Sequence, residues 1–379
     1  MVTIVRAVAG NPGIPPSFPI LLDAHMEIIE PAFAWLIEYA TIRGRGRAAE
    51  TVRTYGEHLH DWFDTLEQSG IAWDAIDEGV IAAYRNRMLE GPSPHTGRPY
   101  ARATINARVH TVCRFYAWEH QRRLIADLPY TTAEHMLLDL EGPRPGLKAV
   151  NVNTLTLAEA ERLPRPLRAD ELDRLFAQLG SPARLAAEWA LTAGLRRKEI
   201  CGLMPDMIPD NRDIAPEDTP LVGVPLTITK GDRPRTVYPP IRLIDRTHWY
   251  IGEERARIVR QHRRRNPRYR PPPNLLLTTI GTAMTKKRLT ALFAEGFAAA
   301  GITGTLHWLR HTFAMAMLAR LQIQARDNPN LNPLKIVQVL MGHRSITTTA
   351  IYLRCVELHE RDLSESLAWL YGELIPDAA

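Results

Sequence analysis

Several short segments of the chain place cationic, proton-carrying and nucleophilic side chains at spacings with chemical meaning. The first is His307-Trp308-Leu309-Arg310-His311-Thr312-Phe313. At about 100° per residue, His307 and Arg310 share one face of a helix, while Leu309, Phe313 and Met317 share another. Both polar residues then sit at a helix N-terminus, where backbone N–H groups and the dipole favour an anion; a phosphate fits there. His307 and His311 also have the i, i+4 spacing of zinc-binding helices. Against zinc stand the missing Glu of the metalloprotease motif and the fixed positive charge of Arg310 beside the ion. Taken alone, the segment is also compatible with an ordinary helix carrying polar surface residues.

Other segments add to it. Asn332-Pro333 has the form of a helix start, Val337 and Leu340 form an inner face, Gly342 ends the helix, and His343 follows. Ser345 is placed to cap a further helix whose stripe is Ile346, Ala350 and Leu353. Tyr352 lies about 120° from that stripe, so it is expected off the apolar face, and read alone it is a surface or interface tyrosine. Upstream, the apolar run Leu185 to Ala193 ends at Gly194, and Arg196 follows, placed to point into a cleft. Val222, Val224, Leu226 and Ile228 alternate as a strand, Gly231-Asp232 marks a turn, and Thr236-Val237-Tyr238 resumes. Lys230 shares the parity of the apolar residues and is the only lysine between Lys198 and Lys286. Lysine can give up its proton near neutral pH and arginine cannot, which hints at proton transfer.

The order Arg196, Lys230, His307-x-x-Arg310, Gly342-His343, Ile351-Tyr352 resembles the tyrosine recombinase, or phage integrase, family. Thr192-Ala193-Gly194-Leu195-Arg196-Arg197-Lys198-Glu199-Ile200, the His307–Ala314 segment and Leu340-Met341-Gly342-His343-Arg344-Ser345 are similar to its signature boxes, and the nine-residue step from His343 to Tyr352 matches its spacing. The resemblance covers roughly residues 164–358, and more loosely the helical part near 25–130. It implies that Tyr352 is the nucleophile that attacks a DNA phosphodiester, leaving a 3′-phosphotyrosyl link and a free 5′-hydroxyl. Arg196 and Arg310 would clamp the non-bridging oxygens. Lys230 would be the general acid for the leaving oxygen, His307 would assist at the tyrosine or bind the phosphate, and His343 would hydrogen-bond the phosphate. No metal or other cofactor is implied, because the covalent bond stores the energy of the broken ester. The chain departs from the family pattern after Leu203, where a Trp-Asp ending is lacking, and between Leu321 and Leu334, which is longer than usual.

These side chains need a scaffold. Residues 1–24, rich in Gly and Pro, read as an irregular extension. Residues 25–130 read as a small helical domain, which the resemblance makes a core-binding domain for DNA: Tyr55, Leu59, Trp62, Phe63 and Leu66 recur at helical steps, as do Ile105, Val109, Val112, Phe115, Tyr116 and Trp118. Residues 131–163, with Gly142-Pro143-Arg144-Pro145-Gly146, read as a linker. Residues 164–379 read as an α+β catalytic domain. Its tail, with Leu363, Leu367 and Leu370, forms an amphipathic helix, which the resemblance makes an exchange helix docking on a neighbouring subunit. The fold expected is mainly α with a small β-sheet.

Composition sets outer limits. With 379 residues, 45% hydrophobic and 23% charged, the chain can bury real cores and is not disordered. No run approaches the ~18 apolar residues of a membrane span, and no secretory signal is visible, so a soluble cytoplasmic protein is expected. Cys113, Cys201 and Cys355 stand far apart in no metal spacing and read as buried apolar thiols. The balance of 47 basic against 42 acidic residues gives +5, which suits nucleic acid without establishing it. Residues 255–270 carry eight arginines and no acid, either a DNA-backbone patch or a solvated helix face. Arg43, Arg45 and Arg47, and Arg102, Thr104, Arg108 and Arg114, are further candidates for DNA contact. Together these readings point to a site-specific DNA recombinase of integrase or transposase type, acting on double-stranded DNA as a homo-tetramer on paired sites, with partner recombinases or accessory factors as an option. The alternative is a catalytically silent DNA-binding regulator of the same fold.

Overall fold

The computed structural model describes residues 1–10, 12–42, 49–94, 96–139, 146–159, 163–210, 222–227, 234–343 and 345–354. The chain divides into two units, Met1–Glu161 and Arg162–Ala379. The expected contacts of Arg43, Arg45 and Arg47, the position of Lys230, Cys355 and the expected exchange helix fall outside the described residues.

The first unit is built on helices α1 (Glu30–Ile37), α2 (Ala49–Ser69), α3 (Glu78–Glu90) and α4 (Arg102–Gln121). The apolar spacing of α2 and α4 does what periodicity requires: Leu59, Trp62, Phe63 and Leu66 are buried, together with Ile105, Val109, Val112, Phe115, Tyr116 and Trp118. The buried aromatic rings satisfy their polar tips, since Trp62 Nε1 donates to Tyr116 Oη at 3.2 Å and Tyr116 donates to the Trp73 carbonyl at 2.7 Å. Asp77 caps α3 by accepting from the Val80 amide at 3.0 Å.

Two segments depart from the sequence reading. Residues 1–24 are not irregular: β1 (Thr3–Arg6) pairs antiparallel with β2 (Pro19–Leu22), and Val2, Phe18 and Leu21 enter the core of α1, α2 and α4. Residues 131–159 contain β3 (Thr132–Asp139) and β4 (Gly146–Asn153), an antiparallel pair in register from Thr132↔Asn153 to Asp139↔Gly146. The strands of the first pair are four residues long, and neither pair alternates cleanly, so pairing is set by contacts that local pattern does not carry. Arg108 is also placed differently from expectation, ion-paired to Asp61 at 2.5 Å and stacked on Tyr100 rather than offered to a groove.

The second unit contains α5 (Ala169–Gln178), α6 (Ala183–Ala193), α7 (Arg197–Gly202), a short antiparallel pair β5 (Val224–Leu226) and β6 (Arg235–Val237), α8 (Ile241–Trp249), α9 (Ala256–Arg265), α10 (Lys286–Ala299), α11 (Leu306–Asp327), α12 (Pro333–Met341) and α13 (Ile346–Ala350). Its main core gathers Leu175, Leu185, Trp189, Ile244, Phe293 and Leu309, all within 1% exposure. Helix α11 extends to Asp327 and so takes up much of the unusually long segment after Leu321. Cys113 is buried and Cys201 half-buried, and burial pushes their thiols up to about 12 and about 11 respectively. The molecule is mainly helical with small two-stranded sheets. Among the described residues no helix is long and apolar enough to cross a membrane.

Candidate active site

Two helix ends meet at the site. Helix α6 stops at Gly194 (φ 65°) and α12 at Gly342 (φ 57°), both left-handed, where a side chain is strained. Space is also short: a Cβ on Gly194 would lie 2.6 Å from the Phe313 ring, and one on Gly342 would lie 2.6 Å from Arg235 Cδ. The last carbonyls of a helix lack intrahelical donors and carry partial negative charge. Three arginines supply those donors. Arg310, on α11 and 1% exposed, donates to the carbonyls of Gly194 and Met341. Arg196, at the N-cap of α7, donates to the Gly342 carbonyl at 3.1 Å. Arg235, on β6, donates to the Leu340 carbonyl.

Among the described residues a single carboxylate serves this cluster. Glu199 is fully buried and accepts from Arg196 Nη1 at 3.0 Å, from the Arg196 amide at 2.7 Å, and from Arg235 Nη2 and Nε at 2.8 and 3.2 Å. Burial raises its pKa, but the hydrogen bonds and charges of Arg235 and Arg196 outweigh that and hold the carboxyl below its ordinary range. Three guanidiniums against one carboxylate leave the pocket short of negative charge. Accordingly burial, then Arg196 and Arg235, press Arg310 down to about 9. An anion such as a phosphodiester would relieve that imbalance.

The proton-carrying groups line one side. The helix that carries Tyr352 changes from α to 3₁₀ geometry at Ile351, and the angular step grows from about 100° to about 120°. Tyr352 lies inward at 2% exposure, against Phe313, Val337 and Met341 and on the side of the fully buried Thr349, whereas Leu353 of the expected stripe is 44% exposed. The expectation of a tyrosine off the apolar face is therefore corrected. Its hydroxyl lies 3.0 Å from His311 Nδ1, and its ring stacks on that of His343 at 6.2 Å and 14°. Burial, then the charges of His307 and Arg310, lowers the His311 pKa to about 4, so this imidazole is neutral at pH 7 and its Nδ1 can accept the tyrosine proton. His343 is pushed down to about 3 by burial, then by Arg310, Arg196 and Arg235. Its Nδ1 is 2.9 Å from the Thr349 hydroxyl and its Nε2 is 3.5 Å from Arg310 Nη2. His307 is exposed at the rim, its ring 4.4 Å from that of His311.

Of the six residues singled out in the sequence, the structure brings Arg196, Arg310, His343 and Tyr352 into one pocket with His307 at its edge, and Lys230 lies outside the described residues. The contact to the tyrosine hydroxyl is made by His311, which its spacing in the sequence offers only as a zinc ligand beside His307. Among the described residues no three His, Cys, Asp or Glu side chains are grouped to hold a metal ion. Sequence reasoning also misses Glu199 and Arg235. The N3 position of Glu199, from which its carboxylate accepts the amide of the N-cap Arg196, is the available signal for the first; nothing local marks Arg235.

Comparison with known proteins identifies the family. Residues 165–358, more than half of the chain, match the Phage integrase family, and residues 38–123 match the Phage integrase N-terminal SAM-like domain. The chain therefore belongs to the phage integrase family, the tyrosine-type site-specific DNA recombinases. It is 24% identical over 323 residues to tyrosine recombinase XerD of Lacticaseibacillus casei, covering 83% of this chain and 91% of that one. It is 26% identical over 328 residues to XerC of Mycobacterium bovis, covering 83% and 93%. Among solved structures the fold is similar to XerH recombinase bound to a difH substrate in a post-cleavage complex (TM-score 0.56, 17% identity, 86% of this chain and 81% of that one). It is also similar to the Tn1549 transposon integrase in complex with circular intermediate DNA (TM-score 0.56, 17% identity, 89% and 98%).

Proposed function

We propose that Tyr352, Arg196, Arg310, His311, His343 and Lys230 carry out the strand cleavage and rejoining of this recombinase on double-stranded DNA. Most weight rests on one contact, the 3.0 Å approach of a neutral His311 to the Tyr352 hydroxyl beside a pocket of uncompensated guanidiniums. The Tyr352 oxygen attacks a phosphodiester phosphorus while His311 takes its proton. The phosphorus–tyrosine bond forms and the bond to the 5′-oxygen breaks; that oxygen leaves with a proton from Lys230, whose role rests on the family resemblance. Arg196 and Arg310 carry the charge that builds on the non-bridging oxygens, and His343 hydrogen-bonds the same phosphate. His307, at the rim, contacts the phosphate as it enters. Rejoining reverses the steps with a new 5′-hydroxyl, and exchange between two duplexes calls for a homo-tetramer on paired sites.

The test is a covalent trap. Wild-type and Y352F protein are incubated with fragmented source DNA in EDTA and denatured, and the DNA attached to protein is sequenced. The expected result is an adduct at a discrete sequence with wild type only. An adduct of equal yield with Y352F would remove Tyr352 from the mechanism.

A further inference from the structure

Arg235 differs from the other two arginines of the pocket in what its guanidinium is occupied with. Arg196 uses one Nη on Glu199 and the other on the Gly342 carbonyl, and it is 23% exposed, so donors remain for a substrate. Arg235 is 11% exposed and is held at four points: Glu199 Oε1 at 3.2 Å and Oε2 at 2.8 Å, the Leu340 carbonyl, and the Gly194 carbonyl at 3.5 Å. Its stem also occupies the space beside Gly342, where a Cβ would lie 2.6 Å from Cδ. The same side chain therefore touches the end of α6, the carboxylate that orients Arg196, and the end of α12 that leads into His343.

We propose that Arg235 is a positioning residue for DNA cleavage, tying the Gly194–Arg196 turn to the Gly342–His343 turn through Glu199 and the Leu340 carbonyl. This rests on the reading of the pocket given above. A lysine cannot replace it, because one ammonium has no planar fork to hold both carboxylate oxygens and a carbonyl together. Without Arg235, Glu199 remains buried with Arg196 as the cation hydrogen-bonded to it among the described residues. The other charged or titratable groups facing the pocket among the described residues are Arg310 and His311 from α11, His343 from the turn after α12, and Tyr352. The carboxylate is then protonated more readily, and the Arg196 fork loses the partner that aims it.

Two measurements on the full chain test this, using R235Q and R235K. The first is amide hydrogen exchange at Gly342 and His343, whose N–H groups bond to the Val339 and Gln338 carbonyls. Both variants are expected to speed exchange there about tenfold, while the amides of α6 around Trp189 keep their protection. The second is single-turnover formation of the Tyr352 adduct at saturating DNA. A drop of about 100-fold is expected for R235Q, the scale of a 1 Å misplacement, with duplex binding within a few-fold of wild type. The rate of R235Q is further expected to fall about tenfold from pH 8 to pH 6, in line with a carboxylate that burial makes harder to ionise, and R235Q/E199Q loses that dependence. A merely structural role would lower the melting temperature without creating a pH limb that E199Q removes. Unchanged exchange at the two amides would overturn the proposal, and so would altered exchange with wild-type cleavage and pH profile. If wild type itself forms no adduct, the reading of the pocket falls, while the exchange measurement still decides whether Arg235 makes the tie.

Discussion

The second unit holds two populations of arginine that share a side chain and little else. Arg196, Arg235 and Arg310 are held by helix-end carbonyls and by the buried Glu199. On and just after α9, Arg257, Arg260, Arg263, Arg264, Arg265, Arg268 and Arg270 are all exposed, and their guanidiniums have no partner among the described residues. On α9 the buried Val259 and the tethered Arg255 and His262 mark the inner face, and Arg257, Arg260 and Arg264 lie opposite. In the pocket, orientation is fixed before any ligand arrives, which is what stabilising a transition state requires. On α9 the charges are mobile and screened by salt, which suits a non-specific hold on a phosphate backbone. Arginine content does not separate the two roles; burial and partners do.

That contrast can be broken in several ways. The largest effect is expected for R310Q, which removes one transition-state donor and leaves two helix-end carbonyls unsatisfied; adduct formation at saturating DNA should fall by about 10²–10³. Retention of more than a tenth of the wild-type rate would mean that Arg310 is structural. The triple variant R257Q/R260Q/R264Q should leave the rate of adduct formation at saturating DNA unchanged. Titrations of duplex binding against salt should show a slope shallower by up to about 2.7, at ~0.9 for each phosphate that is no longer neutralised. An unchanged slope would return α9 to the status of a solvated face. G342A should reduce stability by about 1–2 kcal/mol through its left-handed φ alone, as read by urea unfolding.

The pH dependence sharpens the same contrast. His311 and His343 have folded-state values of about 4 and about 3, against an ordinary 6.5 when unfolded. The unfolded chain therefore binds more protons between these values, and stability is lost as pH falls from about 6.5 toward 4. Urea midpoints should decline over that window and decline less in H311N/H343N. An equal decline would place the acid sensitivity elsewhere.

Much of this site was legible in the chain because its parts are local. Gly194 and Gly342 end helices, Asn332 and Ser345 cap them, and Tyr352 follows His343 by nine residues, all decided within a few residues by backbone sterics and capping. The α2 and α4 cores were legible for the same reason. The short pairs β1–β2 and β3–β4 were not, since strands this short or this weakly patterned gain their stability from a partner segment and the core beneath.

By itself, then, the sequence determined the family and most of the residues proposed to perform its chemistry: a tyrosine, a set of arginines and a histidine at helix ends. Tertiary structure decided which groups meet. Arg196 reaches a carbonyl 146 residues away, Arg310 one 116 away and Arg235 one 105 away. His311 rather than His307 meets the Tyr352 hydroxyl, and that tyrosine lies inward beside the buried Thr349. Helix periodicity assigns a side chain to a face, but only the packing of distant elements decides whether that face meets water, a core or a carboxylate.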